Sequence, residues 1–334
     1  MIHARYSAPA DLFSLMDSTS NWRSGFVDPA YHKAWKRRFG WSSEDRTMAE
    51  RYKQYRKRTY HDRTETDAEY RNKVDGLFAT RSSYAAETDP LGAHFISAAT
   101  IDEALATLNE IASPEDAAML RGFYEHFRPK WRVLLKESEA FAVRAQALDS
   151  DLSRAVVNAF LARVARFYNV DIDIVLNAYL VWWPPIERTR ADNVAGAFLL
   201  HINPEKHADD AEWDEIIMHE AIHYISAAQE PAQKRTLTRT FQNGCSAKTS
   251  NRYHLLEEPL AIAWGQAAYS KYVREKQLDP ADNWYRAPMA GIMGRLLWLN
   301  VDDLYEGDTT INDGIIDEAA KYCARIIQIR KTVH

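Results

Sequence analysis

The sequence predicts an α+β protein that is predominantly helical, and three observations carry that expectation. Glycine and proline are sparse, 12 of each in 334 residues, so long regular segments are not punctuated. Helix-start signals recur from residue 100 onward. Only two short runs, 172–183 and 196–204, have the β-branched and aromatic texture of strands, and both stop at proline.

From about Tyr31 to Lys73 charged and aromatic residues alternate at helical spacing, with Trp35, Phe39, Trp41, Tyr52, Tyr55 and Tyr60 among Lys53, Arg56, Lys57 and Arg58. Basic residues interleaved with aromatics can bind nucleic acid. Here Glu44, Asp45, Glu50, Asp62, Glu65 and Asp67 are mixed in, so a solvated helix face is expected. Thr100 with Glu103 has the form of a capping box opening a helix to about Ile111. Ser113-Pro114-Glu115-Asp116 supplies an N-cap, a first-turn proline and first-turn acids for a helix to about Phe127. From Ser150 to Tyr168, Leu152, Val156, Val157, Phe160, Leu161, Val164 and Phe167 form a helical stripe. After the two strand-like runs, a helix is expected from Asp209 or Asp210 to a stop before Pro231, then a polar loop over 242–250. Further helices follow over about 256–276, 287–297 and 315–329. The chain is long enough for two domains, here a helical N-terminal region over 1–150 and a second domain over 151–334.

The composition excludes several classes. A formal net charge of -5 and a pI near 6.1 give no drive toward nucleic acid or an anionic membrane. No apolar run reaches the length of a membrane helix, and residues 1–6 lack the apolar core of a signal peptide. The expectation is a soluble, cytoplasmic protein, or an exported one if a leader has been removed. Cys245 and Cys323 form no CxxC pair, which fits a reducing compartment; a single disulfide belongs to the exported case. There is no GxSxG elbow, no GxxxxGK phosphate loop and no GxGxxG fingerprint.

The chemistry lies in Ile217-Met218-His219-Glu220-Ala221-Ile222-His223-Tyr224. Helix residues four apart stand one above the other, so His219 and His223 present their rings to a common point. Two such nitrogens fill two corners of a tetrahedral zinc site. Glu220 points elsewhere, but it can hold a metal-bound water and take its proton. A catalytic zinc normally has three protein ligands. A histidine six residues after His223 is lacking, because Gln229 stands there, with Ser226 in place of the usual intervening glycine. Glu257 and Glu258 open an otherwise apolar helix downstream and offer an acidic ligand instead.

HEAIH followed by a downstream acidic helix resembles the gluzincin class of zinc metallopeptidases. The resemblance covers about residues 170 to 300 and implies a zincin-like domain with a small sheet, a zinc cofactor and a peptide or protein substrate. In that class the third ligand is a glutamate, often with a small residue three positions on. Glu258 with Ala261 fits, whereas Glu257 has Leu260. The 35 positions from His223 to Glu258 exceed the interval of the best-known gluzincin families. The class also implies an edge strand that pairs with substrate, for which 195–202 is the candidate, and a donor for the developing oxyanion. Tyr285 and Arg286 are preferred as that donor over Tyr253 and His254. The aminopeptidase signature GxMEN is absent. The alternative is a zinc-binding protein of peptidase fold that acts as a regulator or scaffold without hydrolysis.

Overall fold

The structure, a computed structural model, describes the chain apart from residues 23–28, 63–86, 172–174, 186–189, 206–212, 246–254, 277, 280, 282–283, 286, 308, 313 and 334. It is predominantly helical with one small mixed sheet. Strand β1 (Ile2–Arg5) leads into α1 (Ala8–Ser20), α2 (Pro29–Phe39) and α3 (Ser43–Thr59). Two short strands, β2 (His61–Asp62) and β3 (Glu87–Thr88), pair antiparallel. Then come α4 (Pro90–Ser97), α5 (Ile101–Ala106), a 3-10 turn (Leu108–Glu110), α6 (Pro114–Ser138), α7 (Phe141–Leu152) and α8 (Ala155–Phe167). Strands β4 (Leu176–Trp182), β5 (Arg190–Val194) and β6 (Ala197–Ile202) precede α9 (Trp213–Ala227) and α10 (Pro231–Gly244). Helix α11 (Glu257–Ile262) runs through a π-helical segment (Ala263–Ala268) into α12 (Tyr269–Tyr272). The chain ends in α13 (Pro288–Trp298), α14 (Val301–Glu306) and α15 (Ile315–Val333).

Five helix starts follow from local side-chain capping, at Ser7, Ser42, Asp89, Thr100 and Ser113. Thr100 accepts the Glu103 amide, and the Glu103 carboxylate reaches back to the amide of Ala99, one residue beyond the expected cap. Ser113 accepts the Asp116 amide, and Ser42 with Asp45 completes a full capping box. Helix α6 passes the stop expected near Phe127 and continues through Pro129, because Trp131, Leu134 and Leu135 extend its buried face. The single helix expected over 150–168 is instead two. Its Leu152 ends α7, and Ser153 and Arg154 turn the chain before α8, with the Ser153 hydroxyl bonded to the Asp149 carbonyl.

The four strands are ordered β1-β4-β6-β5. β1 runs parallel to β4 (Ile2 beside Leu176), β4 parallel to β6 (Asn177 beside Ala197), and β5 antiparallel to β6 (Arg190 beside His201). The β5–β6 turn passes through Ala195 and Gly196, both at positive φ (51° and 80°), as the primed hairpin turns require. Two expectations are corrected here. Strand β5, polar and half-buried, was not foreseen. The segment 195–202 is no edge, because β6 lies between β4 and β5 and its backbone is paired on both sides; the edge on that side is β5.

The sheet separates two cores. Phe198, Leu200 and Ile202 face a core built with α7, α8, α9 and the C-terminal helices. Ala197, Leu199, Tyr179 and Val181 face a second core built with α1, α3, α4 and α6. The boundary expected at residue 150 falls inside α7, and Ile2, Ala4, Phe141 and Leu148 share the first core with residues beyond it. The N-terminal region therefore supplies a strand as well as helices.

The expected solvated face of α2 and α3 is present on residues up to 60, with Arg51, Lys57 and Arg58 outward and Tyr31, Trp35, Tyr52 and Tyr55 inward; residues 63–73 lie outside the described residues. Arg56 departs from it. Four positions after Tyr52, it is 1% exposed, paired to both oxygens of Asp89 (2.6 Å each) and to Asp17 (3.0 Å).

Asp11 joins α1 to the sheet. Fully buried, it accepts the Trp182 amide at 2.8 Å and the Tyr6 hydroxyl at 3.4 Å, and burial pushes its carboxyl up to about 7 despite those bonds. A carboxyl whose folded pKa is raised contributes stability that is whole below its unfolded pKa and is lost as pH rises through the folded value. Asp11→Asn keeps an acceptor for the Trp182 amide and removes that titration. Between about pH 4 and about pH 7 the melting temperature of the wild type is therefore expected to fall relative to the variant's. Parallel melting profiles across that window would contradict the assignment.

Candidate metal centre

Helix α9 buries Trp213, Ile217, Met218, Ala221, Ile222 and Ile225 in the core that it shares with one face of the sheet. His219 and His223, 7% and 6% exposed, are buried with that face. Their rings meet nearly edge to face, and their Nε2 atoms are 3.2 Å apart. Glu258, at the start of α11 and 5% exposed, closes the triangle, with Oε1 3.4 Å from His219 Nε2 and Oε2 3.3 Å from His223 Nε2. Four donors around a zinc ion at about 2.0–2.1 Å stand roughly 3.3 Å from one another, the edge of the tetrahedron. The His219–His223 separation matches that edge, each of the two nitrogens has its own Glu258 oxygen at 3.3–3.4 Å, and the donors, two imidazoles and a carboxylate, are the kinds that zinc takes.

Glu257 is placed elsewhere. Its carboxylate is 3.3 Å from Lys234 Nζ of α10, and both residues are buried. The electrostatics favour an ionised Glu258. Burial works against the charge, but the two imidazoles hold the carboxyl far below the usual carboxylate range. Burial likewise opposes protonation of His223, and Glu258 outweighs it, raising the imidazole. A buried carboxylate facing two ring nitrogens thus has a strong preference for positive charge between them.

The approach of α11 to α9 depends on a residue that the sequence reading passed over. Gly265 lies in the π-helical segment, seven positions after Glu258, and a Cβ there would stand 2.6 Å from His219 Cα and 2.9 Å from its backbone nitrogen. Ala261, the small residue expected to allow the approach, is fully buried in the same core. Spacing on one helix face, from 258 through 261 to 265, was the available signal. Gly294 does the same for α13, where a Cβ would meet the Ile262 side chain at 2.7 Å. At the other end of α9, Arg274 Nη1 is 2.6 Å from Glu215 and 3.4 Å from Asp214, and the Ser270 hydroxyl bonds Glu215 at 2.8 Å. Burial, opposed by Arg274, brings the Asp214 carboxyl up to about 6. These contacts clamp the motif helix to α12.

Glu220 is half-buried and bears electrostatically on His223. Tyr285 lies with its ring over His219, nearly parallel, at a centroid distance of 5.8 Å. Arg286, Tyr253 and His254 lie outside the described residues. Gln229 is a structural residue whose side chain donates to the Tyr168 carbonyl. The Nδ1 atom of His219 is buried, with no hydrogen-bond partner among the described residues.

Cys245 and Cys323 are joined as a disulfide, with Cα atoms 5.5 Å apart. It ties the end of α10, which carries Lys234, to α15. This is the single disulfide that the sequence left open beside the reducing-compartment reading; nothing in a separation of 78 residues announces the pairing.

Comparison of the chain with protein-family models, with curated proteins and with solved structures gave no match. Among the described residues no helix is long and apolar enough to cross a membrane.

Proposed function

We propose that the chain is a zinc-dependent peptidase of gluzincin type. The observation that carries this reading is the buried convergence of His219, His223 and Glu258, whose ligand atoms lie within 4.8 Å of one another, with Glu220 next to the first histidine. Those three residues hold the ion. Bound there, zinc supplies Lewis-acid polarisation of a scissile carbonyl and acidifies water. Glu220 accepts the proton of the attacking water and passes it to the amine nitrogen as the C–N bond breaks. Tyr285, over His219, and Arg286 are the candidates to donate to the developing oxyanion. An extended substrate adds to β5, the sheet edge beside β6.

The test is elemental analysis of the untagged protein, with Glu258→Ala and Glu257→Ala beside it. About one zinc per chain is expected in the wild type and in Glu257→Ala, with selective loss in Glu258→Ala. Wild-type protein that takes up no zinc after incubation with the ion would overturn the proposal.

A further inference from the structure

The two carboxylates that open α11 divide between two neighbours. Glu258 faces the histidines of α9, and Glu257, the residue before it, faces Lys234 of α10 at 3.3 Å. Successive helix residues point about 100° apart. A first turn gripped in both directions is therefore held against rolling about its axis. Local capping does not supply that grip, because Leu256, at the cap position, makes no side-chain cap bond among the described residues.

The pair that holds Glu257 is buried on both sides, with side-chain exposures of 8% for Lys234 and 10% for Glu257. Desolvation takes back much of what such a pair gains, and its best attested use is to fix one arrangement against its alternatives. Here the alternative is specific. A roll of the first turn would exchange two chemically identical side chains at the metal centre. Lys234 stands at the start of α10, just beyond the motif helix, with its amide bonded to the Glu230 carbonyl at 3.0 Å. It offsets the charge of Glu257 and leaves Glu258 as the carboxylate of the two that faces His219 and His223.

We propose that Lys234 is a positioning residue of the metal centre: by holding Glu257 it fixes the first turn of α11 so that Glu258, and not its neighbour, meets the ion. This role rests on the centre proposed above and adds to it the residue that selects the third ligand.

The test is zinc affinity, measured by competition with a chelator, together with the absorption spectrum of the cobalt(II)-substituted protein. Both are compared in the wild type, Lys234→Met, Glu257→Gln and the variant carrying both substitutions. Charge alone would move the single variants in opposite directions. Losing Lys234 removes a cation near the metal and tightens binding, whereas losing the Glu257 charge removes an anion and weakens it. Positioning moves both the same way. Each single variant is expected to bind zinc about tenfold or more weaker, with an altered cobalt spectrum. Stoichiometry at saturating ion stays at one, as for Glu257→Ala above. Lys234→Met buries a carboxylate without its partner and is the variant most exposed to misfolding. The double variant removes that burden and the net charge change together, and it is expected to remain weak. Wild-type affinity and spectrum in the double variant overturn the positioning role, as does opposite movement of the two single variants. A wild type that takes up neither metal overturns the centre itself; a wild type that binds while every folded variant matches it overturns the role of Lys234 alone.

Discussion

Glu220→Gln is expected to keep its zinc and lose peptide hydrolysis by roughly two to four orders of magnitude. The carboxamide has the shape of the carboxylate and can still hydrogen-bond a water, but it cannot take the proton that must leave the nucleophile. Glu220 is half-buried, outside the triangle of His219, His223 and Glu258, so the substitution leaves the three donors in place. Zinc content and melting temperature should match the wild type, with the loss confined to kcat. His223→Ala, by contrast, should lose metal and activity together. Undiminished turnover in Glu220→Gln, measured on a peptide that the wild type cleaves, would remove this residue from the mechanism.

The second large effect is on stability. Removing the Cys245–Cys323 disulfide, as Cys245→Ala with Cys323→Ala, is expected to lower unfolding free energy by up to about 4.5 kcal/mol, the chain-entropy value for closing a loop of that length. The bridge encloses the proposed ligand Glu258 and the packing residues Gly265 and Gly294. The reduced chain must therefore order that whole segment anew to complete the metal centre, and zinc affinity should fall with stability. Denaturant midpoints of the two proteins, with zinc stripped, measure the first effect, and competition with a chelator measures the second. Coincident midpoints would show that the bridge contributes nothing to the folded state.

What the sequence made legible is what local chemistry determines. The caps at Thr100 and Ser113, the paired histidines and the start of α11 are each set by neighbours within a few residues. Long-range features were not legible. Helix α1 is buried on nearly every side between the sheet and other helices, so it has no polar face to give it a period. Strand β5 is short and polar, as an exposed edge permits, and without it β6 passes for an edge. Arg56 reads as one more surface cation until Asp17 and Asp89, from two other elements, are placed beside it. The choice between Glu257 and Glu258 turns on Lys234, a residue of an unforeseen helix. The Gly265 contact needed a partner backbone to become visible.

Among the described residues strand β1 pairs with β4 alone, Ile2 against Leu176, with all the helices of the N-terminal half between them in sequence. During synthesis the first strand therefore waits while α1 to α8 emerge, and it finds its place only when β4 leaves the ribosome. Contacts so distant in sequence form slowly, because the intervening chain must be ordered before they bring any gain. The helices around α1 and α6 can collapse first and hold residues 2–5 near the surface that β4 later completes. The metal centre comes later still, since His219, His223 and Glu258 all follow the sheet. The proposed centre is thus completed last, after most of the chain around it has already folded.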